Sequence, residues 1–158
     1  MGVAGAGKST VGAALAARLG WRFIDADDHH PPQSVAKMAA GVPLEDADRW
    51  PWLDVLKGKL QEADATGHSL VLACSALKER YRRRLLGGVA ASRIVYLHGS
   101  AELIAGRLAR RRHRYMPASL LESQFAALEP PAGAIAVDVA AEPARCVDAI
   151  VAELQLPM

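Results

Sequence analysis

Near its start the chain carries Gly2-Val3-Ala4-Gly5-Ala6-Gly7-Lys8-Ser9, which fits the pattern G-x-x-x-x-G-K-[ST] in full. Glycines at this spacing let the backbone curl so that successive amides point at one centre. A helix beginning near Lys8 aims the positive end of its dipole at the same place, so the turn is built to hold phosphates. In such a P-loop the Lys8 ammonium reaches the outer phosphates of ATP and the Ser9 hydroxyl binds Mg²⁺. A fortuitous glycine-rich turn is the alternative; the helix behind the motif argues against it.

Asp25-Ala26-Asp27 stands at the end of a short apolar run. Alternation along an extended chain puts the two carboxylates on one side, and ligands of open α/β sheets bind beyond the carboxyl ends of the strands. One carboxylate suits Mg²⁺ and its waters, the other suits orienting and deprotonating a substrate hydroxyl. By itself the pair fits a solvated acidic turn equally well; the neighbouring P-loop favours chemistry. His29 and His30 follow without zinc-site spacing, and one of them is expected to hydrogen-bond a polar substrate.

Arginine is dense further along, at Arg107, Arg110, Arg111, Arg112 and Arg114. A basic helix end is favourable by its dipole alone, but in phosphoryl transfer it also serves a mobile lid that neutralises transition-state charge and excludes water. Arg107 and Arg111, four residues apart, are expected on one helix face as lid arginines at the nucleotide, with Arg111 acting in catalysis. The run Arg82-Arg83-Arg84 reads as a solvated face.

These residues need elements to position them. Periodicity predicts helices over residues 7–19, from the Pro31-Pro32 pair to about 41, and over 48–65, 77–86, 101–112, 117–128 and 144–154. Strands are predicted over 21–25, 69–74, 93–97 and 134–139. Pro51 is expected in the first turn of its helix, where a missing amide costs nothing. Strands alternating with helices give an α/β chain, a three-layer P-loop NTPase fold with a parallel sheet flanked by helices.

At 158 residues this is a single domain, with a lid at about 107–120, and with only 5% aromatic residues its core must be aliphatic. The net charge of +2 gives no reason to expect a nucleic-acid or membrane partner. Cys74 and Cys146 lack metal-ligand spacing and are expected to be reduced and buried, which suits a cytoplasmic chain without a signal peptide or membrane span. A P-loop joins a buried strand to a helix, and only Met1 precedes Gly2. The missing first strand is expected as a β-branched apolar run of roughly ten residues upstream, and the sheet without it should show a gap.

Further segments carry a family resemblance: the P-loop with Thr10; Asp25-Ala26-Asp27 with His30-Pro31; Lys37-Met38, Gly41, Pro43-Leu44 and Asp46; Asp48-Arg49 with Pro51-Trp52-Leu53; Cys74-Ser75-Ala76-Leu77-Lys78 with Tyr81-Arg82; and Met116-Pro117-Ala118-Ser119-Leu120-Leu121 with Ser123-Gln124-Phe125. In these the chain resembles the gluconate kinases over essentially its whole length. The resemblance implies ATP- and Mg²⁺-dependent phosphorylation of the terminal hydroxyl of D-gluconate to 6-phospho-D-gluconate. It also implies a fold similar to nucleoside monophosphate and shikimate kinases, and a homodimer.

Residue by residue, the resemblance places Gly2, Gly5, Ala6, Gly7, Lys8, Ser9, Thr10, Arg107 and Arg111 at the nucleotide, and Ser9 and Asp25 at the metal. Asp27, His30, Arg49, Ser75 and Lys78 fall at the substrate, with Lys8, Asp27 and Arg111 as the catalytic set. Ser34 stands where the family commonly has Asn, and His113-Arg114-Tyr115-Met116 stands where it has Gly-His-Phe-Met. A kinase for another small hydroxy acid, shikimate-like or a different aldonate, and a nucleotide-binding protein without turnover are the competing readings.

Overall fold

Gly7 and Gly20 bracket the first helix. Both adopt positive φ, 92° and 68°, and α1 runs Lys8–Leu19 between them, burying Val11, Leu15 and Ala16. The computed structural model describes residues 1–111 and 118–156. Arg112, Arg114 and the altered segment 113–116 lie outside the described residues, as does the corresponding part of the proposed lid.

The remaining elements follow in alternation: β1 (Arg22–Asp25), a 3-10 turn (Ala26–His29), α2 (Pro32–Ala39), α3 (Asp46–Thr66), β2 (Leu70–Ala73), α4 (Glu79–Leu86), β3 (Val95–His98), α5 (Ala101–Arg110), α6 (Ala118–Ala127), β4 (Ile135–Asp138) and α7 (Pro143–Leu154). Both strand pairings are parallel, Arg22–Asp25 against Leu70–Ala73 and Val95–His98 against Ile135–Asp138. Parallel pairing requires crossover helices, and these cover the sheet faces. The α/β expectation and the parallel order therefore hold.

Among the described residues the strands form two sheets of two strands each, β1-β2 and β3-β4. Between β2 and β3 runs a groove of about 860 Å³, with Leu72, Cys74, Val95, Leu97, Val11 and Leu15 in its lining. Met1 and Gly2 span its upper end. The Met1 amino group donates to the Val95 carbonyl (2.6 Å), and Met1 O accepts from Leu97 N (2.9 Å). On the other side Gly2 N donates to Ser75 O (3.3 Å). These bonds follow the path of a strand lying between β2 and β3. The crossing is tight at Gly2, where a Cβ would sit 2.6 Å from the Leu97 carbonyl oxygen.

Two apolar clusters flank the divided sheet. One gathers Val3, Val11, Leu15, Leu97, Ile104 and Ile150; the other gathers Ile24, Trp52, Leu53, Leu56, Tyr81 and Leu85. Cys74 and Cys146 are buried free thiols, as expected, and burial pushes the Cys74 thiol up to about 11. Among the described residues no helix is long and apolar enough to cross a membrane.

Three sequence expectations are corrected. First, α3 starts at Asp46, because Glu45 N donates to Asp48 Oδ2 (2.9 Å) and closes a cap two residues earlier than predicted. Pro51 therefore lies inside the helix, on its exposed side, where the ring removes the amide that the Ala47 carbonyl would take. Second, α5 ends at Arg110 and Arg111 is extended (φ −86°, ψ 117°), so Arg107 and Arg111 do not share a helical face. Third, Arg82 is 7% exposed and far from solvated, donating to the carbonyls of Ala76, Leu77 and Glu129. Its neighbours Arg83 and Arg84 do face solvent, paired with Glu79 and Asp54.

Burial lowers the Met1 amine from 8.0 to about 5. Between those values the unfolded chain carries a proton that the folded chain does not, so stability rises with pH across roughly 5 to 8 and falls as pH drops toward 5. A seven-residue apolar, β-branched extension fused ahead of Met1 is expected to pair with both groove edges, raise the thermal midpoint and abolish that pH slope. Urea and thermal unfolding between pH 5 and 8 measure both; an unchanged midpoint would show that the groove does not take a strand.

Candidate active site

The P-loop closes on itself through one carbonyl. Val3 O accepts from Ala6 N (3.2 Å) and from the Lys8 ammonium (3.0 Å), so the lysine folds back over the loop that precedes it. Burial holds Lys8 below the usual lysine range; the charges of Asp27 and then Asp25 pull it back up, and Arg111 pushes it further down. Lys8, both carboxylates and Arg111 thus act on one locality. Helix α5 rests on the loop at Gly5, where a Cβ would lie 2.8 Å from Leu108 Cγ. With φ at 81° as well, that position has no room for a side chain.

Asp25 connects the two sides of the site. Its Oδ2 accepts from Ser9 Oγ (2.6 Å) and its Oδ1 from Asp27 N (3.0 Å). The second bond starts the 3-10 turn over Ala26–His29, so Asp27 leaves the strand direction. The strand alternation expected to align Asp25 and Asp27 is therefore not what brings them together: an Asx-type turn does.

His30, rather than His29, meets Asp27. Its Nε2 lies 3.8 Å from Asp27 Oδ1, its side chain is 6% exposed, and its ring stacks on Trp52 at 4.1 Å and 16°. Trp52 also donates from Nε1 to the Ala26 carbonyl (2.7 Å), pinning the turn to α3. Among the described residues the buried His30 Nδ1 and Ser34 Oγ have no hydrogen-bond partner. Ser34 is thus a buried polar group in the helix that follows the histidine.

One turn before Trp52, Arg49 is held by one edge of its guanidinium. Its Nη1 donates to Leu44 O (2.6 Å) and to the Tyr81 hydroxyl (3.2 Å). Tyr81 in turn donates to Asp46 Oδ1 (2.6 Å), and Arg80 pairs with Asp46 Oδ2 (2.7 Å). The bonds from Tyr81 and Arg80 keep the Asp46 carboxyl below the usual range. A guanidinium fixed on one edge presents its other edge as a fork, the geometry that fits a carboxylate. Ser75 and Lys78 flank the strained Ala76 (φ 44°) between β2 and α4; Ser75 lends its carbonyl to Gly2 N, and Lys78 caps α4.

The sequence-predicted residues fall into two groups and an outlier. Lys8, Ser9, Asp25, Asp27 and His30 converge, and Arg111 follows the end of α5, where its charge acts to lower Lys8. Arg49 sits one helical turn along α3 from the Trp52–His30 stack. Arg107 donates to the Val139 carbonyl just past the carboxyl end of β4. Trp52, Tyr81, Asp46 and Gln124 were given no role from sequence, yet each holds a site residue or loop. The scarcity of aromatics was the available signal: of three Trp and three Tyr in the chain, Trp50, Trp52 and Tyr81 gather here.

The sequence profile of the Shikimate kinase family matches residues 4–128. A probable gluconokinase of Mus musculus is 49% identical over 148 residues, covering 83% of this chain and 80% of that protein. The gluconokinase of Gluconobacter oxydans is 50% identical over 131 residues, covering 83% and 74%. The chain belongs to the gluconokinase family. The crystal structure of a gluconokinase from Sinorhizobium meliloti superposes with a TM-score of 0.88 at 42% identity, over 98% of this chain and 88% of that one. The kinase chemistry, the use of ATP and the fold expected from sequence are those of this family of gluconokinases.

Trp52→Phe keeps the ring stack and deletes the bond to Ala26 O. Leaving that buried carbonyl unpaired is expected to cost about 1–3 kcal/mol, read as a lower urea midpoint with an unchanged slope. An unchanged midpoint would mean that the tryptophan does not pin the turn.

Proposed function

We propose that this chain transfers the terminal phosphoryl group of ATP to the terminal hydroxyl of D-gluconate, giving 6-phospho-D-gluconate and ADP. The observation that most supports this reading is the position of Asp27, charge-coupled to the P-loop lysine on one side and 3.8 Å from a buried histidine on the other. A carboxylate between a phosphate-holding loop and a polar wall is placed to accept a proton from an acceptor hydroxyl. In the step, the hydroxyl oxygen forms a bond to the γ-phosphorus as the bridge to ADP breaks, and the hydroxyl proton passes to Asp27. Lys8 offsets charge on the transferring group, and Arg111 adds a second cation on the same side. Arg49 offers its free edge to the gluconate carboxylate, with Ser75, Lys78 and His30 available to its hydroxyls.

The residues also fit Mg²⁺. Ser9 Oγ and Asp25 Oδ2 lie 2.6 Å apart beside the loop, two hard oxygen donors for an ion that takes few protein ligands and keeps waters and phosphates. Bound there, the ion would neutralise charge on the phosphoryl oxygens. The same reading places the enzyme in the cytoplasm, where ATP is supplied, and carries a homodimer; sedimentation of the full chain gives the oligomeric state.

Coupled ADP release across gluconate, other aldonates and shikimate tests the substrate, with highest kcat/KM expected for gluconate; a preference for shikimate would replace this reading. Lys8→Ala should abolish turnover. Asp27→Asn should lower kcat by about 10²–10⁴-fold, while ATP affinity by titration stays within about threefold. Equal loss of ATP binding would contradict an acceptor-side role for Asp27.

A further inference from the structure

Outside the residues assigned above, one helix is bonded to both halves of the site. Two residues past the end of α6 (Ala118–Ala127), Glu129 N donates to Leu77 O (2.9 Å), and Glu129 Oε1 accepts from Glu79 N (2.8 Å). Arg82, buried, donates from Nη2 to Glu129 O (2.8 Å) and from Nη1 to Ala76 O (2.8 Å) and Leu77 O (3.0 Å). The end of α6 is thereby fastened to the loop between β2 and α4. Five residues earlier, Gln124 Oε1 accepts from Ala4 N in the P-loop (2.7 Å).

The partner of that bond matters. Ala4 N belongs to the Val3–Ala4 peptide, whose carbonyl is the one that takes Ala6 N and the Lys8 ammonium. A peptide unit is planar and turns as one body. Whatever fixes its N–H therefore fixes where its oxygen points, and with it the lysine bonded there. A free loop amide would leave this plane able to rotate between water and phosphate. The side-chain carbonyl of Gln124, held on a helix anchored at Glu129, removes that freedom.

We propose that Gln124 is a positioning residue for Lys8: it sets the Val3–Ala4 peptide plane, and α6 carries the register of the acceptor loop to the phosphate loop. Its turnover arm rests on the gluconate reading; its amide arm does not. Misplacing a charge that stabilises the transferring phosphoryl costs rate more than it costs binding.

The test is Gln124→Met, which keeps the length of the side chain and removes its acceptor. Amide exchange of the ligand-free protein, read residue by residue by NMR, should speed up at least about tenfold at Ala4 and also at Ala6, whose bond depends on the same plane. kcat with gluconate should fall about tenfold, with the gluconate KM within about twofold and the thermal midpoint unchanged. Gln124→Glu, which retains an oxygen at that position, should keep both amides protected. Ser123→Ala, whose hydroxyl donates to Leu120 O within α6 among the described residues, should leave protection and turnover as they are. Faster exchange at Ala4 alone, or an unchanged kcat, would overturn the proposal. So would a fall in midpoint that accompanies faster exchange throughout the P-loop and α1, the mark of a structural role only. Should Gln124→Met fail to fold, Gln124→Ser carries the same expectations. If the wild type does not phosphorylate gluconate, the substrate reading fails and the Ala4 and Ala6 amides still decide this one.

Discussion

The Asp25 carboxylate is committed on both oxygens, one to Ser9 Oγ in the first turn of α1 and one to the amide of Asp27. Ser9 belongs to the P-loop and α1, and Asp27 to the 3-10 turn that leads to His30. A single side chain at the end of β1 therefore sets the distance between the two. Its position depends in turn on the pairing of β1 with β2, where Asp25 stands opposite Ala73. Trp52 adds the lateral constraint, pinning the carbonyl of Ala26 and stacking on His30, so that the turn cannot swing away from α3. The chemistry is thus framed by backbone-directed bonds, and the titrating groups hang from a turn whose course is fixed on both sides.

The strand pairs β1-β2 and β3-β4 lie on either side of the residues that lead into the P-loop. Ile24 and Leu72 of β1 and β2 lie with one apolar cluster, Leu97 and Val137 of β3 and β4 with the other, which Val71 of β2 also reaches, and the Met1-Gly2 peptide bonds to both sides of the groove. The P-loop begins where that crossing ends. Its conformation is then supported from within by the Val3 carbonyl and from outside by α5 against Gly5 and by Gln124 from α6. Where strand pairing is short, side-chain and helix contacts carry more of the burden of holding the loop.

Much of this was legible in the residues. The spacing of Gly2, Gly7, Lys8 and Ser9 marked the turn that opens α1, and short apolar runs between helical patterns marked each described strand to within two residues. The misreadings have a common physical origin. The expected alignment of Asp25 with Asp27 assumed that the strand continued, whereas a carboxylate bonding the amide two residues on ended it. The start of α3 was misjudged because Pro51 was read as a helix entry, while Asp48, capping Glu45 N, had already begun the helix. Arginine is usually solvated, and the burial of Arg82 depends on the nearby carbonyls of Ala76 and Leu77 together with that of Glu129, 47 residues away, which no local pattern encodes. The roles of Trp52, Tyr81 and Gln124 are likewise long-range, each fixed by a partner at least 26 residues away in sequence.

A geometry that delivers a phosphoryl group to one oxygen of one sugar acid leaves its mark on the product. NMR of the product formed by the chain from ATP and carbon-13-labelled D-gluconate reads that mark. A single phosphate ester is expected, its phosphorus coupled to the terminal carbon, the one farthest from the carboxylate. An ester on any other carbon, or ADP formed with no ester at all, would contradict that geometry.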